Sequence, residues 1–212
     1  MALSLRVDPE QRFTCASCAR CCRRWEILVS PAEVSALQGF NPAQWFRADL
    51  DASEGSSGDP FEPIAGWRGY QRIRKRRDGA CGFLSESNRC RLHEELGERR
   101  KPLTCRMFPF QFHPTPAALV VTTSFGCPTI AANRGARLAD GASLDTITAL
   151  RTEWVAQHPP VVRPRTLVPG RVIDAASIAI LRDGLLAILN RTDDGVLDLK
   201  RNVARMAVVL DD

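Results

Sequence analysis

Four cysteines fall within eight positions of FTCASCARCCRRW (residues 13–25): Cys15, Cys18, Cys21 and Cys22. Four more follow at wider spacing, Cys81, Cys90, Cys105 and Cys127, the last directly before Pro128. A Cys-x2-Cys step lets two sulfurs of a tight turn converge on one metal. Three cysteines in a Cys-x2-Cys-x2-Cys run can bind three irons of a cubane, and a remote cysteine followed by proline supplies a fourth bond. Zinc would instead take any four converging thiolates in a tetrahedron. Eight cysteines divide into two sets of four, or into one cluster plus supporting thiols. The adjacent pair bears on that division. In an extended chain neighbouring side chains point to opposite sides, so Cys21 and Cys22 are expected to serve different metal atoms. Cys21 continues the x2 spacing and is expected to complete the Cys15/Cys18 set, with Cys22 turned toward Cys81, Cys90, Cys105 and Cys127. A vicinal disulfide is the competing account, but its strained ring is reduced in a cytoplasm.

Other residues near the cysteines have chemistry to offer. Arg20, Arg23, Arg24, Arg91 and Arg106 each lie within two residues of a cysteine, where a cation would favour the thiolate. Arg106, in CRMFPF, is a candidate cofactor-binding residue that could clamp a carboxylate or a cofactor's charge; support of the site from behind is the alternative. Phe108, Pro109 and Phe110 are expected to form a dry wall beside the metal. His93 follows Cys90 closely and offers a ligand or an acid–base group, but with thiols in surplus a place at a helix start is the expectation. The run RIRKRRD (72–78) has five basic residues in six positions. Without interleaved aromatics it reads as a solvated strand or turn, and nucleic acid is not an expected partner.

The bulk properties set the context. A chain of 212 residues has the length of one domain or a little more, and 44% hydrophobic content is enough for a core. The net charge is +5, and all but three of the 29 basic residues (Lys75, Lys101 and Lys200) are arginine, a bias that a GC-rich genome also produces. Charges at Arg6 and Asp8 interrupt the N-terminus before a signal-like apolar stretch forms. There is no run of about 18 apolar residues, so no membrane span is expected. The expected location is a reducing cytoplasm, where cysteines serve metals or redox chemistry rather than structural disulfides. No GxGxxG joins a strand to a helix, and no Walker A motif is present. The Cys-x3-Cys-x2-Cys motif of radical enzymes is absent too: starting from Cys18 and Cys22 it would need a cysteine where Trp25 stands.

The stretch GACGFLSESNRCRLHEELGERRKPLTCRMFPFQF, with CASCARCC before it and Cys127-Pro128 after it, resembles the YkgJ-type cysteine-cluster proteins, described as zinc- or iron-chelating. It is also similar to the cysteine region of flagellin lysine-N-methylase. The resemblance spans about residues 13 to 129. It implies Cys15, Cys18, Cys21, Cys22, Cys81, Cys90, Cys105 and Cys127 as metal ligands. For the methylase branch it further implies a [4Fe-4S] cluster taking part in methyl transfer to protein lysine, with S-adenosylmethionine as the family's donor.

Short elements must hold these residues. RWEILVS reads as a strand, and Ser30-Pro31-Ala32-Glu33 has the form of a capping box opening a helix to about Leu37. Asn41-Pro42 opens another to about Leu50, before a polar loop over 51–60. GYQRIRKRRDGACGFLSESNRCRL reads as paired strands turning near Asp78-Gly79 and Glu86 to Asn88, and HEELGERR as a short helix. FPFQFHPTPAALVVTTSF reads as a hairpin across Pro114 to Pro116. Ser143 is placed to cap a helix to about Gln157. Four prolines mark 158–171 as a linker or extended arm. Ile178, Leu181, Leu185 and Ile188 form one helical stripe, and Leu199, Val203, Met206 and Leu210 a second, suggesting a helical hairpin around NRTDDG.

The expected fold is α+β: a metal-organised cysteine domain over residues 1–135, then a helical extension over 136–212. Two functions fit. One is a metal- or iron–sulfur-binding protein supporting methyl transfer to lysine side chains of a protein substrate. The other is a non-enzymatic zinc or iron site that stabilises an interaction module.

Overall fold

The computed structural model describes residues 3–49, 58–115, 118–158, 165–168, 171–173, 175–189, 191–193 and 196–197. The chain separates into two compact units, Met1–Pro160 and Val161–Asp212. The first opens with strands β1 (Ser4–Arg6) and β2 (Arg12–Phe13). Ser17 and Ala19 then take positive φ, 51° and 55°. Left-handed backbone costs a non-glycine residue roughly 1 kcal/mol, and here it turns the Cys15–Cys18 segment into helix α1 (Arg20–Arg24), which carries Cys21 and Cys22.

Strand β3 (Leu28–Val29) leads into helix α2 (Pro31–Gln38). The capping box forms as its sequence requires: the Glu33 N–H donates to Ser30 Oγ, and the Ser30 N–H donates back to Glu33 Oε2 at 2.8 Å. The helix expected from Asn41-Pro42 is a single 3-10 turn, Pro42–Trp45. Its exit is set by Phe46, fully buried, whose ring stands where any side chain on Gly82 would fall. Strands β4 (Phe61–Pro63) and β5 (Gln71–Ile73) join β3 in an antiparallel sheet of order β3-β5-β4. Beyond β5 the expected paired strands are reduced to single bridges, Lys75 with Cys81 and Leu84 with Cys90.

The basic run in this region is engaged within the fold. Arg72 pairs with Glu26 and Glu62, Arg77 with Asp49, and Arg76 with Asp78. The Arg76 side chain is 1% exposed and also donates to the Leu84 carbonyl at 2.7 Å. It holds both ends of the loop that carries Cys81.

Helices α3 (Arg91–Leu96) and α4 (Leu103–Met107) follow, then the hairpin of β6 (Phe110–Pro114) and β7 (Ala118–Thr123). β1 adds in parallel to β7, giving a second sheet of order β1-β7-β6. Helix α5 (Pro128–Ala131) precedes β8 (Ala136–Arg137), which pairs with β2. Helix α6 (Gly141–Gln157) starts three residues earlier than the Ser143 cap would allow. Asp140 occupies the N-cap, and no side chain caps the helix. Ile147 and Leu150 of α6 bury against Leu119, Phe112 and Leu138, while Arg151 donates to the Leu3 carbonyl. A separate core forms around Val29, Phe46, Phe83 and Leu92. Helices and short strands are mixed without β-α-β alternation, the α+β class.

In the second unit β9 (Arg165–Val168) pairs with β10 (Arg171–Ile173), and helix α7 (Ala175–Leu189) follows. Its stripe of Ile178, Leu181, Leu185 and Ile188 is half-buried, whereas Ile180 is 74% exposed. Around NRTDDG the chain pairs β11 (Thr192–Asp193) with β12 (Val196–Leu197). The second stripe from Leu199 to Leu210 lies outside the described residues, as do residues 51–57 of the polar loop and most of the proline-rich linker. Among the described residues no helix is long and apolar enough to cross a membrane.

Glu33 has a further bond across the fold. Its Oε1 accepts the Leu103 N–H, the first of α4, at 2.6 Å. One carboxylate thus caps α2 and fixes the start of the helix that carries Cys105. Glu33→Ala should destabilise the protein by about 2 kcal/mol, a lost cap plus an orphaned helix N–H. Denaturant unfolding measures it, and a cost of only a few tenths would separate the two helix starts.

Candidate metal centre

All eight cysteines line one cavity of about 770 Å³. They are brought there by five different pieces of chain. Cys15 and Cys18, both exposed, stand on the left-handed segment, and Cys21 and Cys22 on α1. Cys81 is buried in the Arg76-held loop, and its N–H donates to the Cys22 carbonyl at 2.8 Å, joining that loop to α1. Cys90 is the N-cap of α3, Cys105 sits in α4, and Cys127, buried, is the N-cap of α5. All eight are free thiols.

The divergence expected of Cys21 and Cys22 rested on extended backbone, and the backbone here is helical. Helical neighbours stand about 100° apart around the axis, not opposite one another. Their sulfurs are 3.8 Å apart, too far for a disulfide and close enough for one ion to bridge. The steric argument against a shared atom therefore falls.

Five of the thiols feel one another. Burial and then the neighbouring sulfurs Cys81, Cys90 and Cys21 push the Cys105 thiol well up. Cys81 is pushed up to about 12, mainly by burial, with Cys90 adding to it. Cys90 is raised by burial as well. In the adjacent pair, Cys22 is held protonated by its hydrogen bond to Cys21, then by burial and by Cys81 and Cys105. That same bond lowers Cys21 and makes it the thiolate of the pair. Cys21, Cys22, Cys81, Cys90 and Cys105 thus share one electrostatic space. Among the described residues no three Cys, His, Asp or Glu side chains already meet at a single point.

Three of the flanking arginines are engaged elsewhere. Arg23 reaches Asp78 and Asn88, and Arg91 lies 3.7 Å from Glu94. Arg106 grips Glu153 of α6 with both terminal nitrogens and donates from Nε to the Lys101 carbonyl at 3.0 Å. It does clamp a carboxylate, and the carboxylate is the protein's own. The positive charge acting on Cys21, Cys90 and Cys105 comes from Lys101, half-buried between α3 and α4. Sequence reasoning passed over Lys101 because it lies four positions from the nearest cysteine, Cys105. The signal available was that GERRKP ends one helix just before another opens.

His93 is exposed on α3 and lines the cavity rim, its N–H bonded to the Cys90 carbonyl. His113 pairs with Thr122, and His158 stacks on Trp154. Phe108 and Phe110 line the cavity with Pro109 fully buried between them, and Trp25 meets the Phe108 ring edge-on at 4.3 Å.

Two outcomes follow from these charges. Lys101→Met should weaken metal retention roughly tenfold, as losing a group just behind metal ligands does; chelator competition reads this directly, and unchanged retention would remove Lys101 from the site. The Glu153 carboxyl is held below its ordinary value, first by the hydrogen bond from Arg106. A depressed carboxyl stabilises the fold above its ordinary value of 4.5 and loses that contribution as pH falls through the lowered one. Glu153 is 45% exposed, so Glu153→Gln should cost no more than about 1 kcal/mol at neutral pH. The difference from the parent should vanish as the pH drops below that range in thermal melts.

Compared with known proteins, residues 14–128 match the model of the CxxCxxCC family, described as "Putative zinc- or iron-chelating domain". No curated protein and no solved structure matches the chain. The matched segment runs from the residue before Cys15 to the residue after Cys127 and so takes in all eight cysteines of the cavity. This chain belongs to the CxxCxxCC family of zinc- or iron-chelating domains.

Proposed function

We propose that the cysteine cavity holds an iron–sulfur cluster, and that this centre serves methyl transfer to lysine side chains of a protein substrate. The metal half is carried by one observation: eight thiols around a single large cavity, with no three ligands already meeting at one point among the described residues. One zinc ion gathers four sulfurs at edges of roughly 3.5 to 4 Å, from bonds of about 2.3 Å. A polynuclear cluster keeps its cysteine sulfurs apart around a hollow. The donor set fits either metal, since soft thiolates select zinc and iron–sulfur clusters. Cys22, Cys81, Cys90 and Cys105 would hold the cluster, with Lys101 offsetting thiolate charge and the Phe108–Phe110 wall excluding water. When bound, the cluster supplies one-electron chemistry. Free thiols of this number suit a reducing cytoplasm, where we place the protein.

The methyl-transfer half is supported by the resemblance of the GACGF to FQF stretch to YkgJ-type proteins and to flagellin lysine-N-methylase. With S-adenosylmethionine as donor, the sulfonium–methyl bond breaks as the bond to lysine Nζ forms. The ammonium loses one proton, and S-adenosylhomocysteine leaves. A second reading, a non-enzymatic zinc site in an interaction module, is favoured by the 3.8 Å Cys21–Cys22 separation, the edge length of a zinc tetrahedron.

Anaerobic purification with iron, zinc and acid-labile sulfide analysis tests the metal. Brown protein with equimolar iron and sulfide is expected; colourless protein with zinc alone would establish the second reading. Cys22→Ser and Cys105→Ser should each lose most of the metal and melt at lower temperature. Methyl transfer is tested separately, by mass spectrometry of a lysine-rich protein incubated with cluster-loaded protein and S-adenosylmethionine.

A further inference from the structure

Behind the aromatic wall lies a second cavity, of about 270 Å³. Trp25, Thr104, Phe108 and Phe110 line both cavities, so a single layer of side chains separates them. The rest of its lining is strongly aromatic, with Trp67, Tyr70 and Trp154 prominent. Trp25 and Phe108 stand at 80° to each other, and Trp67 and Tyr70 at 76° with centroids 5.8 Å apart. The rings therefore present walls in more than one orientation. The loop carrying Trp67 and Tyr70 is seated on α2 by Gly69, at φ 75°, where a Cβ would come within 2.8 Å of the Pro31 ring.

The charge of this pocket is specific. Glu33 is the one carboxylate that lines it, and no lysine or arginine does among the described residues. The Glu33 oxygens are held by the Ser30 N–H, the Ser30 hydroxyl and the Leu103 N–H, all neutral donors. Arg106, which feels the Glu33 charge, is already paired with Glu153. A fixed negative charge sharing a pocket with aromatic rings, in a protein of net charge +5, selects for a cation with an apolar coat. Ring quadrupoles attract such a cation by about 0.5 to 2 kcal/mol per ring. The volume lies just under the roughly 300 Å³ at which drug-sized ligands begin, which suits a head group rather than a whole cofactor.

We infer that this pocket binds an alkylammonium group. The group could come from a small quaternary amine or from the end of a lysine side chain on a protein. The lysine source rests on the methyl-transfer reading above; the cation site rests only on the pocket's own residues.

The test uses the full, metal-loaded chain and titrates tryptophan fluorescence, since three of the four tryptophans line the pocket, with calorimetry alongside. The probes are choline, its uncharged tert-butyl isostere, and Nα-acetyl-lysine amide. Choline should bind saturably, and the isostere at least tenfold more weakly. Trp67→Ala should weaken choline at least fivefold while keeping metal content and melting temperature, because Trp67 is 53% exposed. Should that variant misfold, Tyr70→Leu serves the same comparison. Binding of the lysine probe as tightly as choline identifies a side-chain source; choline alone identifies a small amine. Equal binding of choline and isostere would show an apolar pocket only and overturn the proposal, as would no saturable binding of choline or the lysine probe. Metal and sulfide content are read on the same samples, so failure of this site and failure of the cluster assignment give different results.

Discussion

Cys22 is raised by its bond to Cys21 and by burial, Cys81 and Cys105 by burial and by the sulfurs around them, and Cys90 by burial. A cation placed among them would relieve that penalty. This constraint organises the first unit. Cys22, Cys81, Cys90 and Cys105 pack against the core around Phe46 and Phe83, while Phe110 and Leu138 of the other core line the same cavity. Each core alone is small. A metal bonded to thiolates from α1, the Cys81 loop, α3 and α4 would tie together elements that otherwise meet through few apolar contacts, and its binding energy would become folding energy. The remaining ionic apparatus keeps those elements in position: Arg76 closes the Cys81 loop, Arg106 ties α4 to α6, and Glu33 fixes where α4 begins.

Local signals in the sequence survived where their cause is local. The Ser30–Glu33 capping box, the hairpin of β6 and β7, and the stripe on α7 depend on residues a few positions apart. All eight cysteines that the spacing singled out line one cavity. What could not be read was the backbone between them. Ser17 and Ala19 are not residues that announce left-handed conformation, yet they deliver Cys21 and Cys22 onto a helix instead of a strand. The argument about the adjacent pair failed at that one step.

The arginines show the complementary limit. Proximity along the chain suggested that Arg23, Arg91 and Arg106 would face the thiols, but helix and turn geometry sends each to a carboxylate. Lys101 reaches the thiols from the junction of two short helices, a neighbour made by tertiary folding alone. Of the charges in the run at 72–77 only Arg76 is drawn inward, yet Arg72 and Arg77 are also engaged by carboxylates, Glu26 and Glu62 for Arg72 and Asp49 for Arg77. A basic run is a surface patch only where the fold leaves its charges unpartnered.

The wall of Trp25 and Phe108 has two sides. Here the thiol-lined space and an aromatic, acidic-floored pocket are separated by one layer of rings. The charge preferences on the two sides differ in kind. Thiolates call for a bare, soft metal ion, whereas aromatic faces over a fixed carboxylate call for a diffuse organic cation. If both proposed ligands are bound, the shared layer of Trp25, Thr104, Phe108 and Phe110 would stand between a metal centre and an amine.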